Sequence, residues 1–76
     1  MSLQQAYRGG NEGREGWWLH IRYDEDLVET IKREIPSSMR TWDPYKERWW
    51  IAESVAERAC GFIKGLEAHL KQPGLL

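Results

Sequence analysis

The sequence predicts a small α+β domain in which three strands and two helices follow one another in the order β-α-β-β-α. Three observations predict this class: an alternating apolar segment near residue 20, two segments with apolar residues at helical spacing, and a proline-containing turn between two short apolar runs. A three-stranded antiparallel or mixed sheet with both helices on one face buries the two helical stripes through short connections. The opposite face of the sheet is then left open.

Length and composition limit the domain organisation. A chain of 76 residues with one cysteine allows a single domain without an internal disulfide. Residues 1–16 hold four glycines among polar residues, so we expect a flexible leader there. Residues 72–76 contain a Pro-Gly breaker after the last helical pattern, and we expect a frayed tail. The folded domain is therefore predicted to span residues 17–71.

The first strand and the first helix are adjacent in the sequence. Residues 17–23 alternate between apolar and polar positions, which is typical of a strand with one buried face. Asp24 is a favourable helix N-cap, and Pro36 ends the helix that it begins. The apolar stripe of this helix consists of Leu27, Val28, Ile31 and Ile35.

A hairpin and a second helix complete the prediction. Asp43 and Pro44 suit the first two positions of a turn, so the apolar runs on either side of them are predicted to pair. Ser54 and Glu57 have the spacing of a capping box, which starts a helix predicted to run to Leu70.

The register of the hairpin decides which side chains reach the open face, because a shift of one residue moves every side chain to the other face. A four-residue loop places Trp42 opposite Trp49, and both then join Ile51 in the core. A five-residue loop places Trp42 opposite Arg48, and the open face gains Arg40 and Trp42. We favour the four-residue loop, because Trp49 and Ile51 form a natural inward pair.

Both registers leave Trp18 and Trp50 on the open face. In the favoured register the open face carries Trp18, His20, Arg22, Arg48 and Trp50. Exposed indoles among basic side chains can stack unpaired bases and hold phosphates. The same residue types are enriched at protein interfaces. A plainer interpretation is that one ring of each adjacent tryptophan pair is buried and the other lies along the rim of the core.

The charge distribution is mild. The chain carries 11 basic and 12 acidic side chains and a net charge of −1, with the predicted strands slightly basic and the first helix acidic. This polarity favours an approach of phosphate through the sheet, although dedicated DNA-binding domains are usually more basic.

The sequence contains none of the patterns that support catalysis. His20 and His69 have no cysteine or histidine at metal-ligand spacing, and no glycine-rich loop lies between a predicted strand and helix. We therefore expect no enzyme activity and no cofactor. No apolar run reaches the roughly 18 residues of a membrane span, so we expect a cytoplasmic protein with no membrane partner.

The middle of the chain resembles the HepA-related (HARP) domain of annealing helicases and the similar short modules found beside Swi/Snf-type helicase domains. From Tyr23 the chain reads Tyr-Asp-x-x-Leu-Val-x-x-Ile-Lys-x-x-Ile-Pro, followed by Arg-x-Trp-Asp from Arg40 and Lys-x-x-Trp-x-Ile from Lys46. These motifs cover about thirty residues. The resemblance implies a compact α+β module that recognises DNA structure, often a junction between single and double strands, without performing chemistry.

The resemblance also implies roles for individual residues. Arg40, Lys46 and Arg48 match basic positions around the turn of the family, and Trp42 and Trp49 match its aromatic positions. Together with the open face, this gives one set of candidate nucleic-acid-binding or interface residues: Trp18, His20, Arg22, Arg40, Lys46, Arg48 and Trp50. The first hypothesis is thus a non-catalytic nucleic-acid-binding module, accessory to a helicase. The second is a protein-interaction or homodimerisation module that uses the same tryptophan-rich face.

Overall fold

The computed structural model describes residues 3–71, which form a four-stranded antiparallel sheet with helices packed on one face. The strands are β1 (Leu3–Asn11), β2 (Arg14–Ile21), β3 (Arg40–Asp43) and β4 (Arg48–Ala52). The helices are α1 (Glu25–Glu34), α2 (Ala56–Ala59) and α3 (Leu66–Lys71), and 3₁₀ turns at Ser37–Met39 and Glu53–Val55 precede β3 and α2. None of the helices in this part of the chain is long and apolar enough to cross a membrane.

The α+β class is confirmed, but the predicted number of strands is wrong. The sheet order is β1-β2-β4-β3, so the predicted first strand is an inner strand of the sheet. The additional strand is β1, which lies in the segment expected to be a flexible leader at residues 1–16. The folded domain consequently begins near Leu3 and not at Trp17. The tail predicted at 72–76 lies outside the described residues.

The glycines that suggested a flexible leader have specific places in the β1–β2 hairpin. Glu12 and Gly13 form its two-residue turn with φ values of 53° and 81°. Positive φ at both central positions is the geometry of a type I′ turn, whose twist matches that of the strands beside it. A polar, glycine-rich sequence is therefore compatible with a regular hairpin at this position.

Helix α1 begins and ends where the sequence predicts. The Asp24 side chain accepts hydrogen bonds from the amides of Asp26 and Leu27, at 3.0 and 3.3 Å. Leu27, Ile31 and Ile35 are buried against the sheet. The cap and the apolar stripe together fix α1 over the sheet face that forms the core.

The hairpin between β3 and β4 has the predicted four-residue loop. Trp42 pairs with Trp49 and Asp43 pairs with Arg48, which excludes the five-residue alternative. The Asp43 carboxylate accepts hydrogen bonds from the amides of Tyr45 and Lys46, at 3.0 and 3.3 Å. These bonds hold the turn in place from its first residue.

The second helix is shorter and more broken than predicted. The capping box at Ser54 and Glu57 is not formed: α2 starts without a side-chain cap, and Ser54 instead contacts the Met39 sulfur at 3.5 Å. α2 has four residues, and Gly65 precedes α3 with a φ of 91°, which a helix cannot accommodate. The single long helix is therefore replaced by two short ones.

Strand pairing defines two faces of the sheet. The face toward the helices, called here the helix face, places Leu19, Trp49 and Ile51 against α1, α2 and α3, and this is where the core lies. The other face, called here the second face, carries a cross-strand row in which directly paired residues lie side by side. The row consists of Tyr7, Trp18, Trp50 and Thr41.

Candidate binding groove

The second face is organised around an ion pair on β3 and β4. Arg48 Nε donates to the Asp43 carboxylate at 3.0 Å, and both side chains are largely covered, at 17% and 18% exposure. The Arg48 guanidinium carbon also lies over the Trp18 ring, 3.6 Å from its centroid. Arg48 thus satisfies its charge within the domain and covers one face of an indole that was expected to be free.

Two further side chains extend this network to β1. Arg48 Nη1 donates to the Tyr7 hydroxyl, and that hydroxyl lies 3.4 Å from His20 Nε2. The Tyr7 and His20 rings stack with centroids 5.8 Å apart. The network therefore joins all four strands: Asp43 lies on β3, Arg48 on β4, Tyr7 on β1 and His20 on β2. Trp50 is not part of it.

The ion pair shifts the pKa values of both partners in the direction that favours their charged forms. The hydrogen bond from Arg48 holds the pKa of the Asp43 carboxyl below its ordinary value despite partial burial, and the amides of Lys46 and Tyr45 add to this effect. Burial on its own would lower the pKa of Arg48, but the hydrogen bonds to Asp43 and Tyr7 outweigh it and raise that pKa.

Trp50 was expected to be exposed on this face, and it is buried, with 1% of its surface exposed. Its indole Nε1 donates to the Gly9 carbonyl at 3.1 Å, and its ring lies against Gly16 so closely that a Cβ there would be 2.6 Å from two ring carbons. The Arg14 guanidinium lies 5.3 Å from the ring centroid. The β1–β2 hairpin therefore provides the cover that a three-stranded sheet would have lacked.

A contact between the two edge strands shows how this cover forms. Asn11 on β1 donates to the Thr41 hydroxyl on β3 at 3.2 Å, although β2 and β4 lie between these strands in the sheet. The sheet must curl to bring its edges together at this end, and the curl encloses Trp50. The second face is thus partly covered by its own side chains: Trp50 is buried, and Tyr7, Trp18 and His20 are half-buried.

A groove lies instead on the helix face, between the start of α1 and the β3–β4 hairpin. Its volume is about 610 Å³, which is within the range of small-ligand and peptide side-chain sites. Three sets of residues line it: an apolar floor from β2, α1 and β4, aromatic walls, and a charged rim. The floor consists of Ile21, Leu27, Val28, Ile31 and Trp49.

Two exposed rings form the aromatic walls of the groove. Trp42 is 46% exposed and Tyr23 is 77% exposed, and both line the groove. Trp42 was predicted to join the core, and this expectation is wrong. Its ring packs against Trp49 with centroids 5.3 Å apart, but β3 is an edge strand, so the outer side of Trp42 faces solvent.

The rim of the groove carries three basic and two acidic side chains. The basic residues are Arg22, Lys32 and Arg40, and the acidic residues are Asp24 and Glu47. Two of these five already have structural contacts: Asp24 caps α1, and Arg40 Nε donates to the Ile35 carbonyl at 2.8 Å. Arg22 and Lys32 are exposed.

The predicted site residues therefore separate into three places. The second face brings together Trp18, His20, Arg48 and Trp50. The groove brings together Arg22 and Arg40. Lys46 lies in the β3–β4 turn beside Tyr45, which is 95% exposed. Among the aromatic walls and the basic rim of the groove, Trp42, Tyr23 and Lys32 were not predicted as site residues. The position of Trp42 at the end of the sheet next to a turn is the signal that could have indicated its exposure.

Within residues 3–71 no three histidine, cysteine, aspartate or glutamate side chains are grouped as a metal site would require. Comparison of the chain with protein-family models, with characterised proteins and with solved structures finds no match.

Proposed function

We propose that this protein is a non-catalytic nucleic-acid-binding module, and that the groove beside Trp42 holds unpaired nucleotides. The observation that carries the proposal is the exposure of Trp42 at an apolar groove whose rim includes Arg22 and Lys32. An exposed indole offers a stacking surface to any base, and nearby cations can contact the phosphates. The resemblance to the HARP domain supports the same class of ligand.

The groove matches this chemistry better than the second face does. On the second face Arg48 is paired with Asp43, and Trp50 is buried. In the groove the Trp42 and Tyr23 rings are exposed, and so is the Lys32 side chain. A single strand suits the groove more than a duplex, because bases in a duplex cannot stack on protein side chains.

The proposal is tested by titration of short single-stranded and forked DNA while tryptophan fluorescence is followed at low and high salt. We expect quenching that weakens as salt rises, since phosphate contacts release counterions. Lys32→Ala should weaken binding and reduce the salt dependence, whereas Arg33→Ala, on the neighbouring position of the same helix but outside the groove, should not. The absence of any signal at protein concentrations well above micromolar would contradict the proposal.

A second candidate function is protein interaction, and the apolar floor of the groove is the observation that favours it. Ile21, Leu27 and Val28 line the floor and could receive apolar side chains of a peptide. Binding of this kind would depend on Trp42 but would change little with salt. The salt series described above therefore separates the two functions.

A further inference from the structure

Strand β1 is an edge strand with an open side. It spans nine residues, Leu3–Asn11, and lies at one end of the β1-β2-β4-β3 order. The opposite edge, β3, has only four residues and runs directly into Pro44. Short strands and nearby prolines protect a sheet edge from pairing with another chain, and β1 has neither.

Charge protects β1 no better than length does. Arg8 is its single charged residue, and that guanidinium is 2.9 Å from Glu53 and 3.5 Å from Glu15 of the same chain. An arginine neutralised in this way does not repel an approaching strand. The bulge of β1 lies between Leu3 and Gln5, so the stretch from Gln5 onward pairs regularly with β2.

The outer backbone groups of this stretch have few partners. Within residues 3–71, the backbone of residues 5–10 makes no hydrogen bond to any strand but β2; the Gly9 carbonyl, which points toward β2, also accepts one from Trp50 Nε1. Backbone amides and carbonyls along an open edge are the groups that add a further strand.

We propose that β1 pairs antiparallel with β1 of a second copy of this chain, which joins the two sheets into one of eight strands. The strand complements itself between the bulge and the Asn11–Thr41 contact: a two-fold axis at Tyr7 pairs residues 5–9 of the two copies and places Arg8 opposite Ala6 of the second copy. No like charges then face each other, and the two Tyr7 rings form a cross-strand aromatic pair. The small core of the domain also gains buried surface by association.

This interface is independent of the groove and differs from a dimer through the sheet face. Trp18 and Trp50, which a face-to-face dimer would have buried, are already covered within one chain. The edge interface leaves Trp42 free, so association and ligand binding can be measured separately.

Sedimentation velocity over a wide range of protein concentration tests the association. We expect the sedimentation coefficient of the wild type to rise toward that of a dimer as concentration increases. Trp42→Ala should behave in the same way. Tyr7→Lys should prevent the rise, because it places two ammonium groups opposite each other at the two-fold axis, whereas Tyr23→Lys should not. A wild type that stays monomeric up to millimolar concentration overturns the proposal.

Disulfide cross-linking tests the register without placing like charges at the axis. In a Cys60→Ser background, Tyr7→Cys places two thiols opposite each other at the axis, and mild oxidation should give a covalent dimer. Gln5→Cys is the matched control, because the two Gln5 positions are separated by four residues along the strand, about 13 Å at about 3.3 Å per residue. Equal cross-linking of the two variants, or none at Tyr7→Cys in a sample that sediments as a dimer, contradicts this pairing.

Discussion

The guanidinium carbon of Arg48 lies 3.6 Å from the centroid of the Trp18 ring, while Arg48 Nε is hydrogen bonded to Asp43 at 3.0 Å. One side chain thus links a turn to an indole on the far side of β4. Trp18 and Arg48 suggest a binding face in the sequence, but in the structure they contact each other and Asp43 instead. Substitution of Arg48 or Trp18 should therefore lower the free energy of unfolding more than it weakens ligand binding.

Arg48→Met keeps the aliphatic stem of Arg48 but removes its guanidinium. We expect the free energy of unfolding to fall by about 2 kcal/mol, since a cation–π contact contributes about 1 kcal/mol and a charged hydrogen bond adds to it. Urea unfolding measures this change. Arg33→Met, at an exposed position of α1, should lie within about 0.5 kcal/mol of the wild type; an equal loss in both variants would argue against a specific role for Arg48.

Asp43→Asn isolates the ionic part of the contact, because an amide oxygen can still accept the turn hydrogen bonds of Tyr45 and Lys46. The folded-state pKa of Asp43 is lowered by Arg48, so its carboxylate stabilises the fold above the unfolded-state pKa. That contribution is lost as the pH falls through the folded-state pKa. We expect the wild type to be more stable than Asp43→Asn at neutral pH, and the difference to shrink below about pH 4. A difference that is constant with pH would contradict the assignment.

Gly16→Ala should disrupt the packing of Trp50. A Cβ at Gly16 would lie 2.6 Å from Trp50 Cε2 and Cζ2 and would also overlap the Ile51 carbonyl, which cannot move without distorting the sheet. We expect a loss of about 3 kcal/mol in unfolding free energy, as in other overpacked cores. Thermal or urea unfolding measures this. Gly61→Ala is the control, because a Cβ there would meet only the Arg58 carbonyl, at 3.3 Å, and it should cost much less than Gly16→Ala.

Glu47 is a residue at which stability and binding can both improve. Its φ is 53°, where a side chain costs about 1–2 kcal/mol, and it lines the groove as an acidic residue. Glu47→Gly should raise the unfolding free energy by about 0.5 kcal/mol after the greater flexibility of glycine in the unfolded chain is included. It should also tighten single-strand binding.

Glu47→Gln separates these two effects. It keeps the side chain and the strained backbone but removes the charge, so it should tighten binding without increasing stability. Parallel unfolding and titration measurements on the two variants test this. Weaker binding by Glu47→Gln would indicate that the groove does not receive phosphate.

The parts of the fold that depend on local signals could be predicted from the sequence. The cap at Asp24, the stripe ending at Ile35 and the turn at Asp43 are local, and the structure confirms all three. The alternation in residues 17–21 likewise identifies β2. These features need no knowledge of the rest of the chain.

The missed features depend on distant contacts. Strand β1 has weak alternation, and its glycines suggest flexibility until Trp18 and Trp50 are seen to pack against Gly9 and Gly16. The burial of Trp50 follows from that hairpin and could not be predicted without it. The exposure of Trp42 likewise follows from the place of β3 at the sheet edge.

We propose the groove, and not the second face of the sheet, as the binding surface of this protein. The five tryptophan indole N–H signals in an NMR spectrum, recorded during titration with a short single strand of DNA, test it most directly. We predict that the Trp42 signal shifts strongly, while the Trp50 signal, whose N–H is bonded to the Gly9 carbonyl, and the Trp18 signal change little. Large shifts at Trp18 and Trp50 with none at Trp42 would contradict this account.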